Sequence, residues 1–589
     1  MQYFLSVPIL PVYMYARVVT SKQSGRIYRS VQIVESHRDP EKGGKPRTRV
    51  LLHLGNVDDL AGEKIDRLVD GLLRAVGRPV EEPGEVDVPF ALDFGHVWAV
   101  MGIWRQLRIG TILKAKAASS RREFDLEEHI RLMVINRLCD PKSNLGLLAW
   151  LEGVWVPGID RESVTYDNLL RAMDFLIEQK ADVEKEVFSA VRTLFDEQLE
   201  MVFYDLTSSY FEGERSITDE DVRRYGYSRD HRKDRRQIVI GMVTTTDGIP
   251  IAHHVLAGNT LDRKSVEGVV QDLRDRLGIK GVTFVGDRGI LSAPNREAIR
   301  EAGMDYLIAH ALRRDADSLD LLKRCETELE RARQEERALV LAGGMYGVRP
   351  DDHFAVSYDP EIARTARENR QERLRLADVA IEEVLASLKR ASDPTVRQRG
   401  RKLTPEGAQL RIHDYLRDHE AGRFYQVHLD EEAPLGLRVA PDEEARAFEG
   451  KIDGILIVEG SRRDFTPEEM IEKYRSLAEI ERSWRALEST LHLRPVFHWT
   501  ENRIRAHVFL CVLALTMERV MRKKLSAIAT SVPTALTLLK RVRAGKATVG
   551  RKTVPILTNV GKPAKEVYDQ LGVSAPRVLD VADIAEVAL

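Results

Sequence analysis

The sequence predicts an α/β protein: a mixed sheet flanked by helices, interrupted by an insertion, and preceded by a β-hairpin and a helical region. Three observations carry this. Between Glu200 and about Leu312, β-branched apolar runs and amphipathic helical stretches follow one another in the order strand, hairpin, helix, strand, helix, strand. From about Arg313 to Glu449 that alternation gives way to charged helical sequence, and it resumes at KIDGILIVEG, which a long helix follows. Ahead of the sheet, FDLEEHIRLMVINRL and VTYDNLLRAMDFLIEQ carry apolar residues at helical three and four spacing.

In chain order, GRIYRSVQIVE and RTRVLLHLG flank the turn-rich RDPEKGGKP and predict a hairpin in a small domain over 1–88. Residues 89–199 form a helical domain, either packed for stability or used to bind DNA. The first part of the sheet occupies 200–312: MVFYD is a strand, QIVIGMVTTTDGIPIAHHVL a hairpin turning at Asp247 and Gly248, and LDRKSVEGVVQDLRDRLG a helix. GVTFVGD is the next strand, SAPNREAIREAG a helix and MDYLIAHA a strand. Residues 313–449 are the insertion, 450–530 return to the sheet with a strand and a helix, and 531–589 form a basic C-terminal region. That helix start is well marked, since Thr466 and Glu469 have capping-box spacing and Pro467 stands at the first helical position.

At 589 residues and 43% hydrophobic content the chain accommodates several domains with real cores. Lys+Arg 90 against Asp+Glu 92 gives a net charge of -2, which excludes a generally basic protein and leaves nucleic-acid binding to local patches. Cys139, Cys325 and Cys511 form no CxxC pair, which argues against a zinc module or disulfide framework and fits a reducing cytoplasm. The start, MQYFLSVPILPVYMYARVV, has prolines and no basic residue before Arg17, unlike a signal peptide, and AHVFLCVLALTM is too short to span a bilayer. The expectation is a soluble, cytoplasmic protein without a membrane partner.

Asp205 follows the apolar run MVFY and Asp287 follows GVTFVG, so each carboxylate is expected at a strand end, where the two can meet in one sheet. Either alone is weak evidence, since a lone strand-end Asp is more often a turn or helix-cap residue. A third carboxylate lies on the helix after KIDGILIVEG. Ile471, Tyr474, Leu477, Ala478, Trp484, Leu487 and Leu491 form an apolar stripe, and Glu481 falls on it, four after Leu477 and three before Trp484. Burying Glu481 unpaired is costly, whereas a cation compensates it. Three hard carboxylates without His or Cys partners favour Mg²⁺, or Mn²⁺ in its place, over zinc, and two such ions suit in-line phosphoryl transfer.

Taken together, YDLTSSYFEG, GYSRDHRKDRRQIVIGMVTTTDGIPIAHHVLAGNTLD, FVGDRGILS and YRSLAEIERSWRALESTLHLRPVFHWTENRIRAHVFLCVLAL resemble bacterial insertion-sequence transposases of the DDE class. The similarity runs from about Phe124 to about Thr553 and is greatest to the long-insertion branch of the superfamily with a tyrosine-arginine-glutamate-lysine signature. The resemblance implies an RNase H-like core with Asp205, Asp287 and Glu481 as catalytic metal ligands. It implies two Mg²⁺ ions, binding to terminal inverted repeats and target DNA, strand cleavage and strand transfer, and a homodimer on DNA near the bacterial nucleoid. Tyr474 and Glu481 match the signature, but Leu477 replaces its arginine and Glu488 its lysine, which puts phosphate handling in question. Arg475, Arg482 and Arg485 lie close enough to substitute in part.

RRYGYSRDHRKDRRQ is basic and interleaved with tyrosines, so Arg232, Lys233, Arg235 and Arg236 are candidate phosphate contacts against the plainer reading of a solvated loop. LLKRVRAGKATVGRKTV is a second basic stretch, for DNA or a second protomer. His253, His254 and His507 read as structural, and Trp484 and Trp499 as packing residues. Three functions compete: a transposase, an RNase H-like DNA nuclease, and a catalytically weakened DNA-binding protein derived from a transposase.

Overall fold

The computed structural model describes residues 13–23, 26–39, 45–57, 63–78, 86–196, 198–212, 221–226, 232, 234–260, 265–287, 292–313, 315–342, 353–393, 395, 402–549 and 552–586. The chain divides into two units, Met1–Pro89 with Lys546–Val554, and Phe90–Gly545 with Pro555–Leu589. In the first, β1 (Tyr13–Gln23), β2 (Arg26–Asp39) and β3 (Lys45–Asn56) form an antiparallel sheet in that order, followed by α1 (Glu63–Ala75). The expected hairpin is β2 with β3. Sequence reading missed β1, which pairs along its whole length from Tyr13↔Ser36 to Gln23↔Arg26.

In the second unit, β4 (Val86–Asp93) leads into six helices: α2 (Gly95–Gln106), α3 (Ile109–Ala117), α4 (Leu126–Cys139), α5 (Asn144–Glu152), α6 (Tyr166–Glu178) and α7 (Lys180–Phe195). Side-chain caps start several of them. Asp125, for example, accepts from the backbone N–H groups of Glu127 and Glu128 at the head of α4.

The large sheet is built from β5 (Met201–Tyr210), β6 (Gln237–Thr244), β7 (Pro250–Ala257), β8 (Thr283–Gly286), β9 (Asp305–Ala309), β10 (Leu339–Ala342), β11 (His353–Tyr358) and β14 (Ile455–Gly460). Their order is β10-β11-β14-β9-β8-β5-β6-β7. β5, β8 and β9 run parallel and the other pairs antiparallel, so the sheet is mixed. The hairpin turns where expected, with Gly248 at φ +72, a conformation glycine adopts without strain. α8 (Val266–Asp275) and α9 (Ala293–Glu301) cover one face, on which Val202, Tyr204, Leu206, Phe284, Tyr306 and Ile308 are buried.

The insertion holds α10 (Ala316–Arg324), α11 (Glu326–Gln334), α12 (Pro360–Ser392), α13 (Pro405–Asp418) and α14 (Glu443–Ile452) with the hairpin β12 (Tyr425–Leu429) and β13 (Leu437–Pro441). α12 and α13 are not merely a solvated pair. Ala377, Ile381 and Leu388 meet Ile412, Leu416 and Phe424 in a core of their own.

The opposite face of the sheet is covered by α15 (Pro467–Arg475) and α16 (Ala478–Arg485), then a π-helical turn over Ala486–Thr490 and α17 (Glu501–Leu525). Met470, Ile471, Ile480, Trp484 and Leu487 share a core with Phe203, Val285, Leu307 and Val458 of the strands. The apolar run AHVFLCVLAL lies within α17, buried nearly all round against α2, α4 and α6, and no helix among the described residues is long and apolar enough to cross a membrane. α18 (Val532–Leu539), β15 (Arg543–Val549), β16 (Lys552–Leu557) and α19 (Lys562–Leu571) complete the chain.

Candidate active site

Asp205 does not end its strand, as the sequence suggested, but lies within β5, which runs on to Tyr210. The residues after it, LTSSY, alternate too little apolar character to announce a strand, yet they pair with β6 from Leu206↔Gly241 to Tyr210↔Gln237. Asp287 does follow the end of β8. The parallel register Met201↔Thr283 to Tyr204↔Gly286 puts Asp205 and Asp287 one step beyond the last pair, on neighbouring strands about 5 Å apart. Side chains alternate along a strand, so Asp205, half-buried, shares the face of Phe203, while Asp287, just past the end of β8, is exposed. One oxygen of Asp205 accepts the backbone N–H of Leu206 at 2.7 Å.

Glu481 lies on α16, which packs against β5, but it is exposed instead of belonging to the buried stripe. The stripe is carried by Ile480, Ser483, Trp484 and Leu487. The physical reason is a break in the expected single helix. The backbone bonds Leu477→Tyr474, Glu479→Ser476 and Ile480→Leu477 are of the tighter three-residue kind, which overwinds the chain and turns Ile480 inward where Glu481 was expected. Ser483 Oγ donates to the carbonyl of Gly248 at 3.0 Å, tying α16 to the β6–β7 turn.

Sequence reasoning also missed the surroundings of Glu488. Thr207, two residues beyond Asp205 on the same face, donates to Glu488 at 3.3 Å, and Arg494 forms an ion pair with Glu488 at 2.5 Å. Arg494 lies 5.8 Å from the centre of the Tyr210 ring, with Arg232 on that ring at 5.1 Å. A cation therefore does stand beside position 488, supplied by Arg494 rather than by the signature lysine. Only the contact across the fold reveals it.

The other basic candidates divide. Arg475 bonds Asp359 at 3.2 Å, and Arg482 pairs with Glu479. Arg485 is exposed and Tyr474 is half-buried. Arg232 and Arg235 pair with Asp234 at 2.9 and 3.3 Å, and Arg236 lies 5.5 Å from the Tyr225 ring. Lys233 lies outside the described residues. Arg223 is buried between Phe211 and Trp499 and paired with Asp221, so it serves packing.

The histidines are held as structural groups. His253 contacts Glu184 at 2.6 Å and stacks on Phe509, and burial lowers its pKa to about 4. Burial opposes ionisation of Glu184, yet Lys180, His253 and Arg276 hold its carboxyl well below the usual carboxylate range. His507 meets the carbonyl of Leu493 at 3.0 Å, which fixes the turn before α17.

Two hard carboxylates one strand spacing apart fit Mg²⁺, which takes one or two protein carboxylates and completes its shell with water and substrate phosphate oxygens. Among the described residues no three His, Cys, Asp or Glu side chains form a group that could hold a metal ion.

The fold is thus a mixed α/β sheet flanked by helices, with Asp205 on β5 and Asp287 just past the end of the neighbouring parallel strand β8. A family model described as a transposase DDE domain matches residues 200–517, and one described as the N-terminal domain of IS1634 family transposases matches 16–84. The chain belongs to the insertion-sequence transposases of the DDE type. No curated protein matches it.

Proposed function

We propose that the protein binds the terminal inverted repeats of its insertion sequence and catalyses metal-dependent strand cleavage and strand transfer. The sheet order β7-β6-β5-β8-β9, with β5, β8 and β9 parallel, supports an RNase H-like core. The observation that supports the reading is the parallel register of β5 and β8, whose last pair, Tyr204↔Gly286, immediately precedes Asp205 and Asp287.

In this reading Asp205 and Asp287 hold divalent metal, Mg²⁺ or Mn²⁺, with Glu481 as the third carboxylate. Bound metal supplies Lewis-acid activation of the attacking oxygen and stabilisation of the leaving one. Water oxygen bonds to the scissile phosphorus as the bond from phosphorus to the 3′ oxygen breaks; the leaving oxygen takes up a proton, giving a 3′-hydroxyl and a 5′-phosphate. In transfer, that 3′-hydroxyl attacks a target phosphodiester, forming one ester bond and breaking another. Arg475, Arg482 and Arg485 on the helical layer, with Arg232, Lys233, Arg235 and Arg236, would contact phosphates and hold the duplex without reading its sequence.

Cleavage of a labelled duplex carrying the element's own end tests the function. Cutting at the repeat boundary in Mg²⁺ but not in EDTA, followed by joining to a second duplex, is the expected result. Cleavage without joining would leave a nuclease. A second reading, a weakened transposase that binds without cutting, draws on Leu477 and Glu488, which stand where the signature has arginine and lysine. Specific binding with no cleavage in either metal would select it.

A further inference from the structure

Between α16 and the C-terminal half of α17 runs a groove whose α17 side, with Arg519 and Arg522, the reading above does not use. One cavity of about 540 Å³ is lined by Arg482, Arg485, Arg519 and Arg522 with Glu518 as its one acidic group. A second, of about 600 Å³, shares Arg482, Arg519, Arg522 and Ser526 with the first but adds Asp247, Glu472 and Glu479, so the excess of arginine is concentrated in the first.

Its floor is unusual. Arg519 is 2% exposed; its Nη2 donates to the carbonyl of Arg482 at 2.8 Å, and its Nε lies 3.2 Å from Glu518. Its Nη1 has no hydrogen-bond partner. A buried guanidinium nitrogen left without an acceptor costs free energy, which an anion oxygen entering the groove would recover. Burial raises the pKa of Glu518, weakening the one negative group lining the first cavity. On the walls, Arg522 is 42% exposed and shares Glu479 with Arg482. Arg485 stands four residues after Glu481, so the groove opens one helical turn from that carboxylate.

We propose that this groove seats the sugar-phosphate backbone of DNA next to the active site, with Arg519 as the floor contact and Arg485 and Arg522 as wall contacts to successive phosphates. The proposal rests on the DNA-processing reading above and adds to it the path of the substrate. Arg485, Arg519 and Arg522 around one cavity suit successive phosphates of a chain better than a single anion.

The test is the salt dependence of binding by the full chain, in EDTA so that nothing is cut. Fluorescence anisotropy would follow a labelled duplex bearing the element's end. The exposed pair carries the comparison, as Arg485→Ala/Arg522→Ala, because loss of buried Arg519 can also disturb α17. Arg519→Met, checked for unchanged melting, is the second variant. Losing two phosphate contacts should reduce the slope of log K against log[salt] by about 2. Arg519→Met should lower the slope by about 1, and Arg375→Ala, on exposed α12 surface, should leave it unchanged. Inorganic phosphate should displace the duplex no better than chloride at equal ionic strength. A wild-type slope in the double variant would overturn the groove assignment while leaving DNA binding intact. Displacement by phosphate beyond its ionic strength would make this a free-anion site and overturn it too. A wild type that binds no duplex would overturn both this proposal and the function it rests on.

Discussion

Asp205 lies in mid-strand and half-buried, where a carboxylate calls for a cation or hydrogen-bond donors. That need is why Asp205 and Asp287 were legible in the sequence: each closes an apolar run, where a charge demands an explanation. Glu488 was not legible, because its partners Thr207 and Arg494 are distant or separated from it by a turn. The ion pair predicts that restoring the signature residue, Glu488→Lys, will not improve the protein. It places like charges together beside Arg494 and should cost about 1–3 kcal/mol in a partly buried setting, measured by denaturant unfolding. A more stable or more active lysine variant would contradict the pairing. Asp287→Asn, by contrast, should abolish cleavage while duplex affinity stays within about threefold of wild type, a free-energy change of roughly 0.7 kcal/mol.

At the scale of elements, the decisive feature is the join between α15 and α16. Sequence periodicity treated 467–491 as one helix and therefore placed Glu481 inward. The capping box at Thr466 was legible because it is local; the overwound join was not, because tertiary packing on the sheet sets the phase of α16. Thr466→Ala should cost about 1 kcal/mol, read from the unfolding midpoint. Gly248→Ala should do more. A methyl group there would meet Ser483 Oγ at 2.6 Å and the Glu479 carbonyl at 3.0 Å, on a backbone of φ +72. It should push α16 from the β6–β7 turn and lower cleavage at least tenfold, about 1.4 kcal/mol of barrier, with duplex binding retained. Wild-type cleavage by Gly248→Ala would show that α16 is not positioned through this turn.

For the molecule as a whole, the alternating order of the sheet was readable because each strand and helix carries its own period. The core of the insertion was hidden, because charged residues dominate helices whose buried stripes are thin, such as Ala377, Ile381 and Leu388 of α12. Buried histidines give the fold a pH dependence. Burial lowers His96, His253 and His498 to about 4, and lowers His254 and His507 below the ordinary value. A histidine depressed on folding contributes stability that is complete above its unfolded pKa near 6.5 and lost as pH falls toward its folded value. His310 acts oppositely: burial opposes its charge, but Glu459 and Asp315 raise it, so its contribution is present at low pH and lost as pH rises. With five depressed histidines against one raised, unfolding free energy should fall between pH 6.5 and about 4, by on the order of 3 kcal/mol for His253 alone. Equilibrium unfolding across that range checks it, and rising stability toward pH 4 would contradict these assignments. The central claim, a metal-dependent DNA-cutting site built on Asp205, Asp287 and Glu481, is tested most directly by cleavage of the element's end duplex by wild type, Asp205→Asn and Glu481→Gln. The account predicts cutting at the repeat boundary by wild type in Mg²⁺ or Mn²⁺, none in EDTA, and none by either variant. Undiminished cutting by Asp205→Asn, or by wild type in EDTA, would contradict it.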